Sequence, residues 1–173
     1  MAEVLPLSDA ELRLLKSLLD HRVRFLIVGL SAAALQGAPV VTEDIDLWFE
    51  NLGDPALSVA LKKVGAGYVP PFGLNPPMLA GAGSQPFDVV IRMDGLKDFP
   101  QEYARARVIR VAGLRLKILT LERVLASKEA ANRPKDKLVL QVLRDSLLGS
   151  GTNKRKRPRM AKSDPRSKRT RIY

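Results

Sequence analysis

No cysteine occurs anywhere in the 173 residues, so disulfides, thiolate nucleophiles and zinc–thiolate centres are excluded at the outset. His21 is the single histidine, which leaves no histidine cluster for a metal and argues against a Ser-His-Asp triad. Any metal held here must be bound through oxygen, a donor set that favours magnesium or manganese over zinc. No apolar run approaches the length needed to cross a bilayer, and the N-terminus lacks a signal-peptide pattern. The expectation is a soluble, cytoplasmic protein with no membrane partner.

Charge is unevenly spread. The net +11 is concentrated in residues 151–173, which hold ten of the 29 lysines and arginines and only one of the 18 acids, Asp164. Residues 1–150 therefore carry 19 basic and 17 acidic side chains and are close to neutral. A chain of this length suits one domain with a sizeable core. We expect a globular domain over 1–149 and a disordered basic tail over 150–173. Such a like-charged block holds RNA, DNA or another polyanion electrostatically, here through 154–171. Tyr173 is its only aromatic, so that hold should be sequence-independent and salt-sensitive.

Ser8-Asp9-Ala10-Glu11 reads as a capping box opening a helix with an apolar stripe at Leu12, Leu15, Leu18 and Leu19. A buried strand over 24–29 follows, then a short helix over 31–36 closed by Gly37. The next strand spans 40–49. Asp54 and Pro55 start a helix that stops at Gly65. Residues 65–86 are rich in glycine and proline and read as a long functional loop, with a short edge strand around 78–82. A strand over 86–93, a helix over 96–105 and a hairpin of 108–111 with 114–119 come next. Thr120 caps a helix to about Ala131, and Pro134 opens a last one to Leu148, broken by Gly149-Ser150-Gly151. The mixture predicts an α/β (α+β) fold, a small mixed sheet flanked by helices.

The chemistry concentrates in Asp44-Ile45-Asp46. On a strand these two carboxylates point the same way, with Ile45, Leu47 and Phe49 on the other face. Adjacent anions are unfavourable without something positive between them, and a divalent metal or a nearby base is the usual answer. Upstream, Gly29-Leu30-Ser31 sits at a strand-to-helix turn, where a glycine lets backbone approach a phosphate. Downstream, Asp88 interrupts an apolar strand and would complete a second metal site if its strand lies beside theirs. Two metals so placed serve in-line phosphoryl or nucleotidyl transfer. Trp48 shares the carboxylate face, as a base-stacking or a core aromatic. His21 reads as a surface residue, and Asp136 as a partner of a nearby cation that orders its turn.

The stretch FLIVGLSAAALQGAPVVTEDIDLWF over 25–49 resembles the DNA polymerase β-like nucleotidyltransferases in their minimal form, as found in small bacterial toxin–antitoxin members. Members have a strand ending in Gly-Gly or Gly-Ser, a short helix, a glycine, then Thr-x-Asp-hydrophobic-Asp. Asp88 in PFDVVI matches the third family carboxylate, and LTLERVLASKEAANRPKDK over 119–137 is similar to the C-terminal helices of small members. The resemblance implies a nucleotidyltransferase fold and transfer of an NMP from an NTP to an acceptor hydroxyl. Asp44, Asp46 and Asp88 would be catalytic and bind Mg2+ or Mn2+. Gly29, Ser31, Thr42 and Lys128 would hold the nucleotide, Lys128 meeting phosphates unless it merely complements its helix terminus. Two positions depart from the pattern. Leu30 stands where a second glycine or a serine is usual, and Val40 where a basic residue often is. They motivate an alternative, a catalytically lapsed binding module forming one partner of a toxin–antitoxin-like pair. A D-x-D glycosyltransferase also fits the two acids but leaves the glycine turn unexplained.

Overall fold

The structure is a computed structural model, described here for residues 6–153. The basic segment 154–171, with its expected hold on polyanions, lies outside the described residues. Helix α1 (Asp9–Asp20) begins with the expected capping box. Ser8 N donates to Glu11 Oε2 at 2.7 Å and Glu11 N to Ser8 Oγ at 3.4 Å. Its buried stripe is Leu14, Leu15 and Leu18, so Leu14 joins the core while Leu12 is only half-buried. His21 closes the helix, with Nδ1 2.8 Å from the Ser17 carbonyl; it is half-buried, not a free surface residue.

A seven-stranded mixed sheet forms the centre, in the order β3-β4-β5-β2-β1-β7-β6. Strand β1 (Phe25–Val28) is buried at every position, which explains its unbroken apolar sequence. It pairs antiparallel with β2 (Ile45–Phe49) and parallel with β7 (Leu114–Ile118). Strand β2 pairs parallel with β5 (Phe87–Val90), and β6 (Arg107–Val111) closes the far edge as the expected hairpin with β7. Helix α2 (Gly29–Leu35) follows β1 without a linker. Helix α3 (Pro55–Lys63) starts at Asp54, whose Oδ1 accepts from Ala56 N at 2.9 Å, and packs on α1, where Ser17 Oγ donates to Ala60 O at 2.7 Å.

Several expectations need correction. Residues 40–44 are not strand. Ladder pairing begins at Ile45, whose N–H donates to Pro86 O, and Val41 is 91 % exposed with nothing to bury it. The segment 65–86 is not a structureless loop. It forms a hairpin of β3 (Ala66–Val69) and β4 (Met78–Gly81). The strand expected near 78–82 is present as β4, but it is not an edge strand, because it lies between β3 and β5 and leaves β3 at the margin of the sheet. Helix α4 (Phe99–Arg105) starts later than read from sequence.

Thr120 occupies the cap position of α5 (Leu121–Ala131), but its side chain makes no capping bond. Gln36 acts instead. Its Oε1 accepts from Leu121 N at 3.2 Å while Nε2 donates to Ala32 O and Leu119 O, each at 2.9 Å. Pro134–Asp136 is a 3-10 turn, and α6 (Lys137–Asn153) runs through Gly149 and Gly151, so the expected break there does not occur. No helix among the described residues is long and apolar enough to cross a membrane.

One buried ion pair ties α4 to α5. Glu102, 1 % exposed, accepts from Arg123 at 2.6 and 3.1 Å and from Lys97 N at 3.0 Å. Burial pushes its carboxyl up, but the guanidinium and the amide outweigh burial and hold it below the ordinary glutamate range. A lowered folded-state value means that stability is present above the unfolded pKa near 4.5 and lost as pH falls through the lowered one. Arg123→Ala should cost about 3–5 kcal/mol by stranding that charge. Chemical denaturation at neutral pH checks it, and the difference from wild type should shrink toward pH 3.

Candidate active site

The site lies where β1 ends and β2 begins. Val28 is the register partner of Asp46, and Asp46 in turn is the register partner of Asp88 on β5. Residues paired in register project to the same face, so the two carboxylates stand side by side. Strand order is set by tertiary pairing, and the pairing of β2 with β5 supplies the adjacency expected of Asp88.

Gly29 is needed here for two reasons. Its φ of +63° lies in the left-handed region, and a Cβ at this position would overlap Asp46 Oδ2. What approaches the glycine closely is thus the carboxylate of Asp46. Ser31 is fully buried, its Oγ donating to Val28 O at 2.8 Å and accepting from Asp46 N at 3.3 Å. That hydroxyl latches the end of β1 to the start of β2. Leu30, one place earlier, is half-buried.

Asp44 precedes the strand and is exposed, and Thr42 Oγ1 donates to its carbonyl at 3.0 Å. Thr42 therefore shapes the approach to the acids and does not line the cavity beside them. Trp48 is 7 % exposed and meets Phe99 edge-on at 5.3 Å, which makes it a core aromatic.

A cavity of about 190 Å³ opens beside Asp46, with Gly29, Lys128, Arg133 and Asp136 among its lining residues. Lys128 Nζ is 3.2 Å from Asp136 Oδ1, as the reading of Asp136 anticipated, and the partner oxygen Oδ2 is buried without a hydrogen bond among the described residues. Arg133 and Ser127 were not picked out from sequence as site residues. Their only signal was position, on and just after the helix that carries Lys128.

The electrostatics follow from this crowding. Burial, then the charges of Asp88 and Asp44, push the Asp46 carboxyl up to about 6, against the opposing pull of Lys128 and Lys135. Burial and Asp44 also raise Asp88. Among the described residues no three acids or histidines are drawn tightly enough to form a ready-made metal cage. The donor chemistry nevertheless fits a hard divalent cation. Asp46 and Asp88 stand side by side, burial and neighbouring negative charge raise the proton affinity of both, and a bound cation would relieve that repulsion.

A mixed sheet with its acids near the β1–β2 junction and a cavity of mixed charge beside α5 defines a class of fold, which comparison identifies. No protein-family profile and no curated protein sequence matches the chain. Solved structures do. The crystal structure of ANT(2'')-Ia in complex with adenylyl-2''-tobramycin matches with a TM-score of 0.50 at 14 % identity, over 82 % of this chain and 88 % of that one. The solution structure of the antibiotic-resistance factor ANT(2'')-Ia gives 0.50 at 13 % identity, over 82 % and 83 %. An antigenic nucleotidyltransferase-like protein from Paracoccidioides brasiliensis gives 0.50 at 18 % identity, over 83 % and 78 %. The chain has the nucleotidyltransferase fold, as its resemblance implied.

Asp46 offers a test independent of activity. Its folded-state value lies above the ordinary 3.8, so its charge destabilises the fold above about pH 6, and the penalty is relieved as pH falls toward 3.8. Asp46→Asn should therefore raise stability at pH 8 by about 1–2 kcal/mol after allowance for solvent screening. The gain should fade below pH 5 in thermal unfolding of the metal-free protein.

Proposed function

We propose that this protein is a metal-dependent nucleotidyltransferase that moves a nucleoside monophosphate from an NTP to an acceptor hydroxyl and releases pyrophosphate. The observation that carries the reading is the in-register pairing of Asp46 with Asp88, beside a glycine turn and a cavity lined by Lys128. Asp44, Asp46 and Asp88 would hold Mg2+ or Mn2+, which supplies charge neutralisation on the reacting phosphate when bound. The chain's own groups do the rest. Lys128, Arg133 and Arg92 line the cavity and offer it three cations for the triphosphate. Gly29, lacking a Cβ, keeps the approach to Asp46 clear, and Ser31 fixes the Asp46 backbone.

Asp88 is exposed and has a raised proton affinity, which suits it to accept the proton of the attacking hydroxyl. The hydroxyl oxygen then bonds to the α-phosphorus, the bond from that phosphorus to the β-bridging oxygen breaks, and pyrophosphate leaves with the electron pair. The neighbouring structure solved with an adenylylated aminoglycoside supports a nucleotide donor, without naming this chain's acceptor. Residues 154–171 suit a salt-sensitive hold on RNA or another polyanion.

The test is transfer of α-labelled ATP, CTP, GTP and UTP, with magnesium, into cellular RNA and protein fractions. Asp44→Asn/Asp46→Asn should reduce label to background while remaining folded, and Asp88→Asn should slow transfer by about 10²–10⁴-fold. Label that survives the double substitution overturns the reading.

One observation favours a second reading. With Leu30 lacking a hydroxyl and that of Ser31 turned inward, the glycine turn presents no side-chain donor to phosphate. A fold retained for binding a partner protein, as in a toxin–antitoxin-like pair, would tolerate this. Titration calorimetry decides between them. Absence of magnesium-NTP binding at millimolar concentration supports the binding module, and saturable binding supports the enzyme.

A further inference from the structure

Residues 64–91 hold a single charged side chain, Asp88, where the chain's 27 % charged composition would place about eight. This neutral stretch is β3, β4, β5 and their connections. The register carries one row across them, from Asp46 to Asp88, Met78 and Val69. These side chains share the face that bears the carboxylates. On the other face Leu79 and Phe87 are buried, at 4 % and 3 % exposure. On the carboxylate face Met78 and Val69 are 48 % and 40 % exposed. Past them the turn of the hairpin, bridged between Phe72 and Asn75, presents Phe72 at 83 % and Leu74 at 104 % exposure. An apolar strip of this kind, beginning at a catalytic carboxylate, marks a recognition surface.

We infer that this strip receives the acceptor, and that the acceptor is an extended polypeptide segment presenting a Ser, Thr or Tyr hydroxyl between apolar side chains. The inference rests on the nucleotidyltransferase reading above. Charge selects the class of occupant. A nucleic-acid acceptor is held chiefly by lysine and arginine on its phosphates. No cation lies on the strip, and its one charge would repel a phosphate. Length argues likewise. Three interstrand spacings from Asp46 to Val69 span about 14 Å, which matches about four residues of extended chain. Apolar flanking side chains would cover Met78, Val69 and the turn, leaving the hydroxyl at Asp88. There its oxygen bonds to the α-phosphorus, its proton passes to Asp88 and then to solvent, and pyrophosphate departs.

The experiment uses the full chain with magnesium and α-labelled NTPs. Its probes are a library of extended peptides with central Ser, Thr or Tyr flanked by Val, Ile or Leu, the same library with Asp and Glu flanks, and an RNA oligonucleotide with a free 3′ hydroxyl. The apolar-flanked peptides should be labelled at least tenfold faster than either other probe. Phe72→Ser/Leu74→Ser, and separately Met78→Ser, should each raise the peptide KM about tenfold or more, the loss expected from one uncovered apolar side chain. Magnesium-NTP affinity by calorimetry and the thermal midpoint should be unchanged. Preferential labelling of RNA overturns the inference, as does absence of peptide labelling by protein that binds magnesium-NTP. Failure to bind magnesium-NTP at all instead removes the underlying enzymatic reading.

Discussion

Repulsion among Asp44, Asp46 and Asp88 is the constraint around which this structure is arranged. The fold forces the acids together by ordinary backbone pairing, since the register that joins β2 to β5 sets Asp46 beside Asp88. Neither charge is paired off among the described residues. Lys128, the cation nearest in effect to Asp46, is bound instead to Asp136. The result is a site that is costly when empty of cations and that gains stability from whatever positive charge it accepts. The stabilising elements lie elsewhere, in the buried β1 strand, in the Gln36 bridge from α2 to α5, and in the sealed Glu102–Arg123 pair.

That division explains why the short helix α2 is held so firmly. Its first residue is a glycine in a left-handed conformation, its second turn is anchored by Gln36, and Ser31 binds both flanking strands. A seven-residue helix has little stability of its own. These ties fix it, and through it they fix the backbone from which Asp46 projects.

Much of this was legible in the residues, and the unread parts share a cause. Local signals with a local mechanism were sound: the Ser8 capping box, the Asp54-Pro55 helix start, the hairpin at Ala112-Gly113. Properties set by distant partners were not. Nothing near Val40 announces that β1 ends opposite Asp46 and leaves 40–44 without a neighbour. Thr120 has the composition of a cap, yet a glutamine from another helix caps α5. Ala66–Val69 becomes a strand only because β4 folds back on it, behind two pairs of prolines that hid the hairpin. Gly29, Asp46 and Lys128 do line one cavity, with Asp88 beside Asp46, and the two acids stood out in the sequence because each interrupts an otherwise apolar strand.

The one-place shift of the serine from 30 to 31 shows how little sequence change alters a turn's purpose. Successive residues of a helix point about 100° apart, so moving a hydroxyl by one position swings it from one side of the helix to another. At 30 the side chain is half-buried; at 31 it is fully buried against Val28 O and Asp46 N. A hydroxyl so held stiffens the junction of β1 and β2 but is closed to a ligand. On the proposed reading a phosphate here would meet backbone at Gly29 and the cations that line the cavity, Lys128 and Arg133 among them. On that same reading the tie between Lys128 and Asp136 governs more than a turn: Lys128 would share its charge between Asp136 and a phosphate in the cavity, so the strength of that ion pair would set how readily the cavity yields its charge.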